Sequence, residues 1–175
     1  MWGIEMALDC PARVKALVLM DTAASEEPAT TRALYIGMLD LMERVGAMPP
    51  PLVEQVVPIY FAPETLTGNR SLVDGFRRSL LEIEKDRLAS IVALGRAIFS
   101  RPSLRERLGE LRCPCPTLVA MGRHDRPRPV SESQALADAI AGARLEIIDG
   151  AGHISSLEQP KRVLAMLASF LASTV

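Results

Sequence analysis

Two residues of this sequence have the types and the spacing of a cooperating acid and base. Asp125 follows the run TLVAMGRH, and His153 follows LEIIDGAG. The apolar parts of both runs are typical of buried parallel strands, whose carboxyl ends form the ligand-binding edge of open α/β sheets. A histidine there can take a proton from a nucleophile, and a neighbouring carboxylate can fix its tautomer. Spacing alone leaves the structural interpretations open, namely a hydrogen-bonded loop histidine and a helix N-cap aspartate.

Strands and helices alternate in the way that a parallel sheet with helical crossovers requires. Apolar, β-branched runs predict three strands, at residues 14–20 (Val14 to Met20), 117–121 and 145–148. Helical spacing predicts flanking helices at residues 2–8, at 130–140 and from Pro160 onward. The predicted fold class is therefore α/β, with three parallel strands and flanking helices.

The first two strands are separated by a long helical segment. Apolar residues recur at helical spacing from Leu34 to Val45, and further helices are predicted at 52–61 and 103–111. Residues 72–99 are predicted as one long helix or as two helices with a break. Residues 23–31 and 63–69 are predicted loops. Roughly eighty residues are far more than an ordinary crossover needs. We therefore interpret residues 25–111 as an inserted lid, and residues 1–24 and 112–175 as the core.

The segments around Asp125 and His153 resemble those of the α/β-hydrolase superfamily. MGRHDRPRPV resembles its acid loop, and IIDGAGHISSLEQP resembles its histidine loop, with G-A-G-H followed by E-Q-P. EMALDCPARVKALVLMDT resembles the helix, proline and strand that follow the family's nucleophile. The resemblance implies the C-terminal part of an incomplete α/β-hydrolase fold, with His153 as the general base and Asp125 as its acid. Some members carry the acid after an earlier strand, which makes Asp21 the alternative.

The family's activity implies hydrolysis of an ester or lactone by a Ser-His-Asp triad. The serine lies on a G-x-S-x-G turn, and backbone amides hold the oxyanion. No G-x-S-x-G occurs in these 175 residues, and none of the twelve serines has flanking glycines in a strand-turn-helix context. We therefore expect the nucleophile a few residues before Met1 and an inactive chain. An aspartate nucleophile stays open, because that position is absent.

Three interpretations of such a chain remain open. The first is a truncated reading of a hydrolase gene, the second is one half of a split enzyme, and the third is a non-catalytic short protein. The non-catalytic protein would oligomerise or bind a small hydrophobic ligand beneath the lid. The residues that would line this ligand site, or that are ordinary core instead, are Leu34, Met38, Met42, Ile59 and Phe61. A strand at 14–20 without its usual neighbour would be a free sheet edge. We therefore expect a homodimer in which the strands from Val14 to Met20 of two copies pair antiparallel.

Composition restricts the classes of partner, compartment and cofactor that we expect for this chain. A formal net charge of −1 argues against nucleic acid, and no apolar run approaches the ~20 residues that span a bilayer. The N-terminus lacks the basic start of a signal peptide, which favours a cytoplasmic protein with reduced thiols. The pair Cys113 and Cys115 has no second ligand pair at zinc spacing, so no metal and no cofactor are predicted. His124 could line the site or join a metal site with His153 and Asp125, but we favour a solvent-facing loop residue.

Overall fold

The computed structural model describes residues 1–111 and 115–174. Three strands form its sheet, at β1 (Leu17–Met20), β2 (Thr117–Gly122) and β3 (Arg144–Ile148). Two 3-10 turns lie at Pro11–Arg13 and Glu106–Glu110. The helices are α1 (Trp2–Asp9), α2 (Ala29–Val45), α3 (Pro50–Tyr60), α4 (Pro63–Gly68), α5 (Arg70–Leu81), α6 (Lys85–Phe99), α7 (Val130–Ala139), α8 (Ser155–Glu158) and α9 (Pro160–Ala172).

The sheet of the described residues is parallel throughout, in the order β1-β2-β3. Leu17 lies opposite Thr117 in the first pair, and Leu118 lies opposite Arg144 in the second. β2 is buried at every residue, as expected of a central strand covered on both faces. Because the strands run in one direction, their carboxyl ends lie at the same edge of the sheet. This edge carries the loops of all three acid and base candidates.

Apolar side chains of β2 alternate between two clusters on opposite faces of the sheet. Val119 packs with Ile4 of α1 and Leu136 of α7. Its neighbour Leu118 packs on the other face with Phe170 of α9. This is the two-residue period of a strand. The α/β architecture with flanking helices is thus confirmed.

The helices between β1 and β2 pack around a cluster of their own. Its buried members include Leu39 of α2, Val57 of α3 and Val92 of α6. Gly95 allows α2 and α6 to cross closely, since a Cβ there would lie 2.9 Å from Leu39. Ile154, next to His153, also packs against this cluster. The core of this helical segment, α2 to α6, which is called the lid below, therefore reaches the histidine loop.

Several predicted boundaries were wrong. The first strand begins at Leu17 rather than Val14, because Pro11 starts a 3-10 turn that ends with Val14 N–H donating to Pro11 O. Pro63 begins a short helix within the predicted loop 63–69, because proline is well suited to the first helical turn. For residues 72–99 the structure has the second of the two alternatives, two helices with a break, whereas the helix predicted at 103–111 was wrong and is a 3-10 turn at Glu106–Glu110. The break after residue 81 lets α5 pack against α3 while α6 packs against α2.

Two further observations concern partners. Within residues 1–111 and 115–174, every helix is too short or too polar to cross a bilayer. Cys113 lies outside the described residues, so the interpretation of the Cys113 and Cys115 pair stays a prediction.

Candidate active site

Asp125 and His153 form a direct hydrogen-bonded pair. The Nδ1 atom of His153 lies 2.9 Å from Oδ2 of Asp125. The Asp125 side chain is fully buried, whereas the imidazole is 24% exposed. A carboxylate can only accept, so it selects the tautomer with the proton on Nδ1 and leaves Nε2 as a lone-pair base. Among the described residues Nε2 has no hydrogen-bond partner, so it is free to act on a ligand.

The second oxygen of Asp125 fixes the carboxylate in its loop. Oδ1 accepts a hydrogen bond of 2.7 Å from the backbone N–H of Arg128. The backbone N–H of Asp125 itself donates to Gly122 O at 3.1 Å, which closes the turn that leaves β2. Both oxygens therefore have a defined donor, and the group is oriented before any ligand binds.

A buried ion-pair network lies beside the acid loop. Glu27 is 3% exposed and pairs with the guanidinium groups of Arg128 and Arg101. Burial by itself would raise the pKa of Glu27, but hydrogen bonds from Arg128 and Thr31 and the charges of both arginines outweigh it and lower this pKa. Burial and the neighbouring Arg128 charge lower the pKa of Arg101. The network joins the loop after β1, the end of α6 and the acid loop.

Two glycines bring the backbones of three segments into contact. A Cβ on Gly122 would overlap the carbonyl oxygens of Gly152 and Ala151. A Cβ on Gly152 would lie 2.6 Å from Tyr60 O and 2.9 Å from Ala62 N. These atoms belong to main chains, which cannot move aside as a flexible side chain would. Glycine is therefore required where the acid loop, the histidine loop and the end of α3 meet.

The lid also contacts His153 directly. The backbone N–H of His153 donates to Tyr60 O at 2.8 Å. The Tyr60 ring lies edge-on to the imidazole, with ring centroids 5.3 Å apart. Burial, chiefly, raises the pKa of the Tyr60 phenol, which keeps it neutral at ordinary pH. Tyr60 thus supports the imidazole from the lid side.

Asp21, the alternative acid, contacts other groups. Its Oδ2 accepts from Ser155 Oγ at 2.7 Å and its Oδ1 from Gly122 N–H at 3.1 Å. Its φ of 45° is in the left-handed region, which is uncommon for aspartate. Burial raises the pKa of Asp21, and the hydrogen bonds from Ser155 and Gly122 oppose this rise. The structure therefore brings Asp125, and not Asp21, to His153.

Sequence reasoning gave no role to Glu158. This carboxylate accepts from Ala62 N–H at 2.7 Å through Oε1 and from Gly152 N–H at 2.6 Å through Oε2. The only signal for it was its place in the E-Q-P motif, five residues after His153. Nothing in that motif indicated a contact with residue 62, which lies 96 positions away.

His124 lines an open cleft of about 370 Å³ between the acid loop and the lid. Its Nε2 lies 3.8 Å from Glu64 Oε2, and its side chain is 35% exposed. It is thus only partly solvent-facing. The described residues hold no group of three or more histidine, cysteine or carboxylate side chains that could bind a metal ion.

The residues proposed for a ligand beneath the lid do not share one cavity. Leu34 and Met38 line an open cleft of about 500 Å³ between α2 and α3. Met42 and Phe61 are buried within the lid cluster. Helix packing thus turns members of this set to different sides, as the ordinary-core interpretation expects, and a hydrophobic-ligand site beneath the lid stays a prediction.

Comparisons with known proteins give a consistent result. The model of the alpha/beta hydrolase family matches residues 2–166. A 2-hydroxymuconate semialdehyde hydrolase from Pseudomonas sp. (strain CF600) is 27% identical over 187 aligned positions, which cover 97% of this chain and 58% of the relative. Monoacylglycerol lipase abhd6-A from Xenopus laevis is 32% identical over 74 residues, 42% of this chain and 21% of the relative.

Among solved structures, a thermophilic esterase from Thermogutta terrifontis with malate bound superimposes with a TM-score of 0.84. It is 24% identical, and the match covers 98% of this chain and 60% of the esterase. This likeness confirms the predicted fold family. The chain spans at most about three fifths of the length of these relatives.

Proposed function

We propose that this chain, which belongs to the alpha/beta hydrolase family, supplies the general base and the orienting acid of an ester or lactone hydrolase. The observation that carries the proposal is the 2.9 Å hydrogen bond between His153 Nδ1 and the buried Asp125 carboxylate. The pair lies where parallel strands present their carboxyl ends. The similarity to a monoacylglycerol lipase supports ester hydrolysis as the reaction class.

The geometry suits general-base catalysis. With the proton on Nδ1 held by Asp125, Nε2 takes the proton of the attacking serine hydroxyl as the oxygen bonds to the substrate carbonyl carbon. The buried carboxylate stabilises the imidazolium. The imidazolium then returns the proton to the departing alkoxide, and a water molecule repeats the sequence to release the acid. Asp125 stays ionised throughout.

The nucleophile is the part that these residues do not provide. No G-x-S-x-G occurs in the sequence. Ser155, the buried serine nearest to His153 in sequence, donates its hydroxyl to Asp21 instead. In the described part of the chain no serine hydroxyl is hydrogen-bonded to His153. We therefore propose that the 175-residue chain alone does not form an acyl-enzyme.

Fluorophosphonate labelling of the purified chain tests the missing nucleophile. Intact mass and peptide mapping are expected to show no stoichiometric adduct on the folded protein. One adduct on a single serine that His153→Ala abolishes would mean that a nucleophile exists within these residues. An adduct that persists in His153→Ala would reflect nonspecific reactivity and would leave the proposed inactivity in place.

The base and acid roles are tested separately by ¹⁵N NMR of the imidazoles. The chain has two histidines, so His124→Asn assigns the spectrum. Above its pKa, the His153 ring is expected in the tautomer protonated at Nδ1, and Asp125→Ala should abolish this preference. A His153 ring protonated at Nε2 in the unmodified chain would contradict the proposed base.

A further inference from the structure

The end of α3 and the histidine loop are held together by one carboxylate. Glu158 accepts one backbone N–H from each side, from Ala62 of the lid and from Gly152 of the histidine loop. Both distances, 2.7 and 2.6 Å, are short, as expected when the acceptor is ionised. Among the described residues Glu158 has no ion-pair partner, so these two N–H groups are its chief stabilising contacts.

Burial makes this bridge difficult to replace. Ala62 is fully buried and Phe61 is 1% exposed. If the carboxylate left, the Ala62 N–H would have no water to donate to, and a buried unsatisfied donor is costly. The two backbones approach so closely at Gly152 that there is no room for a side chain there to take over the role of the bridge.

The bridged residues flank the imidazole on the backbone. Gly152 immediately precedes His153, whose own N–H donates to Tyr60 O of the same lid segment. The Tyr60 ring supports the imidazole edge-on. The lid therefore contacts the backbone before the histidine, the backbone of the histidine and the ring itself, while Asp125 holds only the ring.

We propose that Glu158 is a positioning residue through which the segment 60–62 of the lid sets the orientation of His153. When this segment moves, Gly152 and His153 move with it, and the imidazole changes its angle to Asp125. The catalytic meaning of the coupling rests on the proposed role of His153 as the base. The coupling itself is a property of two backbone segments and is measurable without turnover.

The test combines amide hydrogen exchange with histidine NMR on the full chain. Glu158→Gln keeps the shape but presents an amide donor to one of the two N–H groups. We expect exchange at Ala62, Gly152 and His153 to become about 10- to 100-fold faster. We also expect the pH titration of the His153 ring to shift while that of His124 stays unchanged. Glu82→Gln, at an exposed carboxylate after α5, is the matched control and should change neither.

The ring titration separates positioning from simple support of the fold. If Glu158→Gln speeds amide exchange but leaves the His153 titration unchanged, Glu158 only stabilises the loop and the proposal is wrong. The unmodified chain provides a measurement that does not depend on a variant folding. Its Ala62, Gly152 and His153 amides should lose protection together as urea is raised, and independent exchange would overturn the coupling.

These outcomes are distinct from those of the proposed function. An Nε2-protonated His153 would remove its role as base but would leave the joint exchange of the three amides intact. Independent exchange would remove the coupling but leave the tautomer preference set by Asp125.

Discussion

Replacing Glu27 by glutamine is expected to destabilise the chain by about 2 to 3 kcal/mol at neutral pH. Glu27 is buried between Arg128 and Arg101, and glutamine would retain its shape while removing the charge that both guanidinium groups face. Arg101 keeps its bonds to Ser25 O and Ile98 O, which limits the loss. Thr31 can reverse its hydrogen bond to the new amide, so that contact adds little.

The penalty should depend on pH in a defined direction. The pKa of Glu27 in the folded chain lies below its ordinary value of 4.5. A depressed pKa means that the stabilisation is fully present above the unfolded pKa and is lost as pH falls through the folded pKa. The difference in free energy of unfolding between the unmodified chain and Glu27→Gln should therefore be constant near pH 7 and become smaller below about pH 4.5.

Urea unfolding followed by far-UV circular dichroism is the suitable assay, since the single tryptophan, Trp2, is 66% exposed and a poor probe. In a thermal scan the unfolding midpoint of Glu27→Gln should be roughly 5 to 10 °C lower than that of the unmodified chain, for a chain of this size. Glu43→Gln is the matched control, because Glu43 pairs with Arg96 on the surface and is 65% exposed. That change should cost less than about 1 kcal/mol. Equal effects of the two variants, or a penalty independent of pH, would refute the reasoning.

Three substitutions and the oligomeric state have clear expected outcomes. Gly122→Ala should lower the free energy of unfolding by about 3 kcal/mol or prevent folding, because its methyl group meets the backbone of Gly152. Gly75→Ala, in open space on α5, should raise the free energy of unfolding by about 1 kcal/mol. Thermal unfolding of the two variants compares these effects. Ser133→Ala should gain about 1 kcal/mol in urea unfolding, because the buried Ser133 hydroxyl has no partner among the described residues. We expect a homodimer paired through β1, Leu17–Met20, in sedimentation at micromolar concentration, and a single monomeric species would contradict it.

The features that the sequence could predict depend on local patterns. Continuous apolar residues indicated the strands, and the loops after them carry Asp125 and His153 within hydrogen-bond distance. Because a strand buried on both faces has no polar side, its pattern is easily read. The same argument could not choose between Asp125 and Asp21, since both follow a strand at the same sheet edge. The resemblance to the acid loop favoured Asp125, and the structure adds that the Asp21 carboxylate accepts from Ser155 and Gly122 instead of contacting His153.

Contacts between distant residues could not be read in this way. Glu27 and Arg128 are 101 positions apart, and neither lies in a pattern that indicates a buried pair. Glu158 was visible as part of a motif, yet its partner Ala62 belongs to a segment whose helix packing no periodicity reveals. Lid helices share similar apolar spacing, so the sequence predicts that they pack but not which faces meet.

The contact of three main chains at Gly122, Gly152 and Tyr60 has a consequence for how such a chain can change over generations. Main-chain atoms are common to all residues, so the junction constrains the lid sequence at a few positions and leaves its distal helices free to vary. We therefore expect substitutions in α2, α5 and α6 to leave the setting of the histidine unchanged. Exchange of these helices between relatives, with residues 60–62 retained, would preserve the junction, and the lid can diversify as a module.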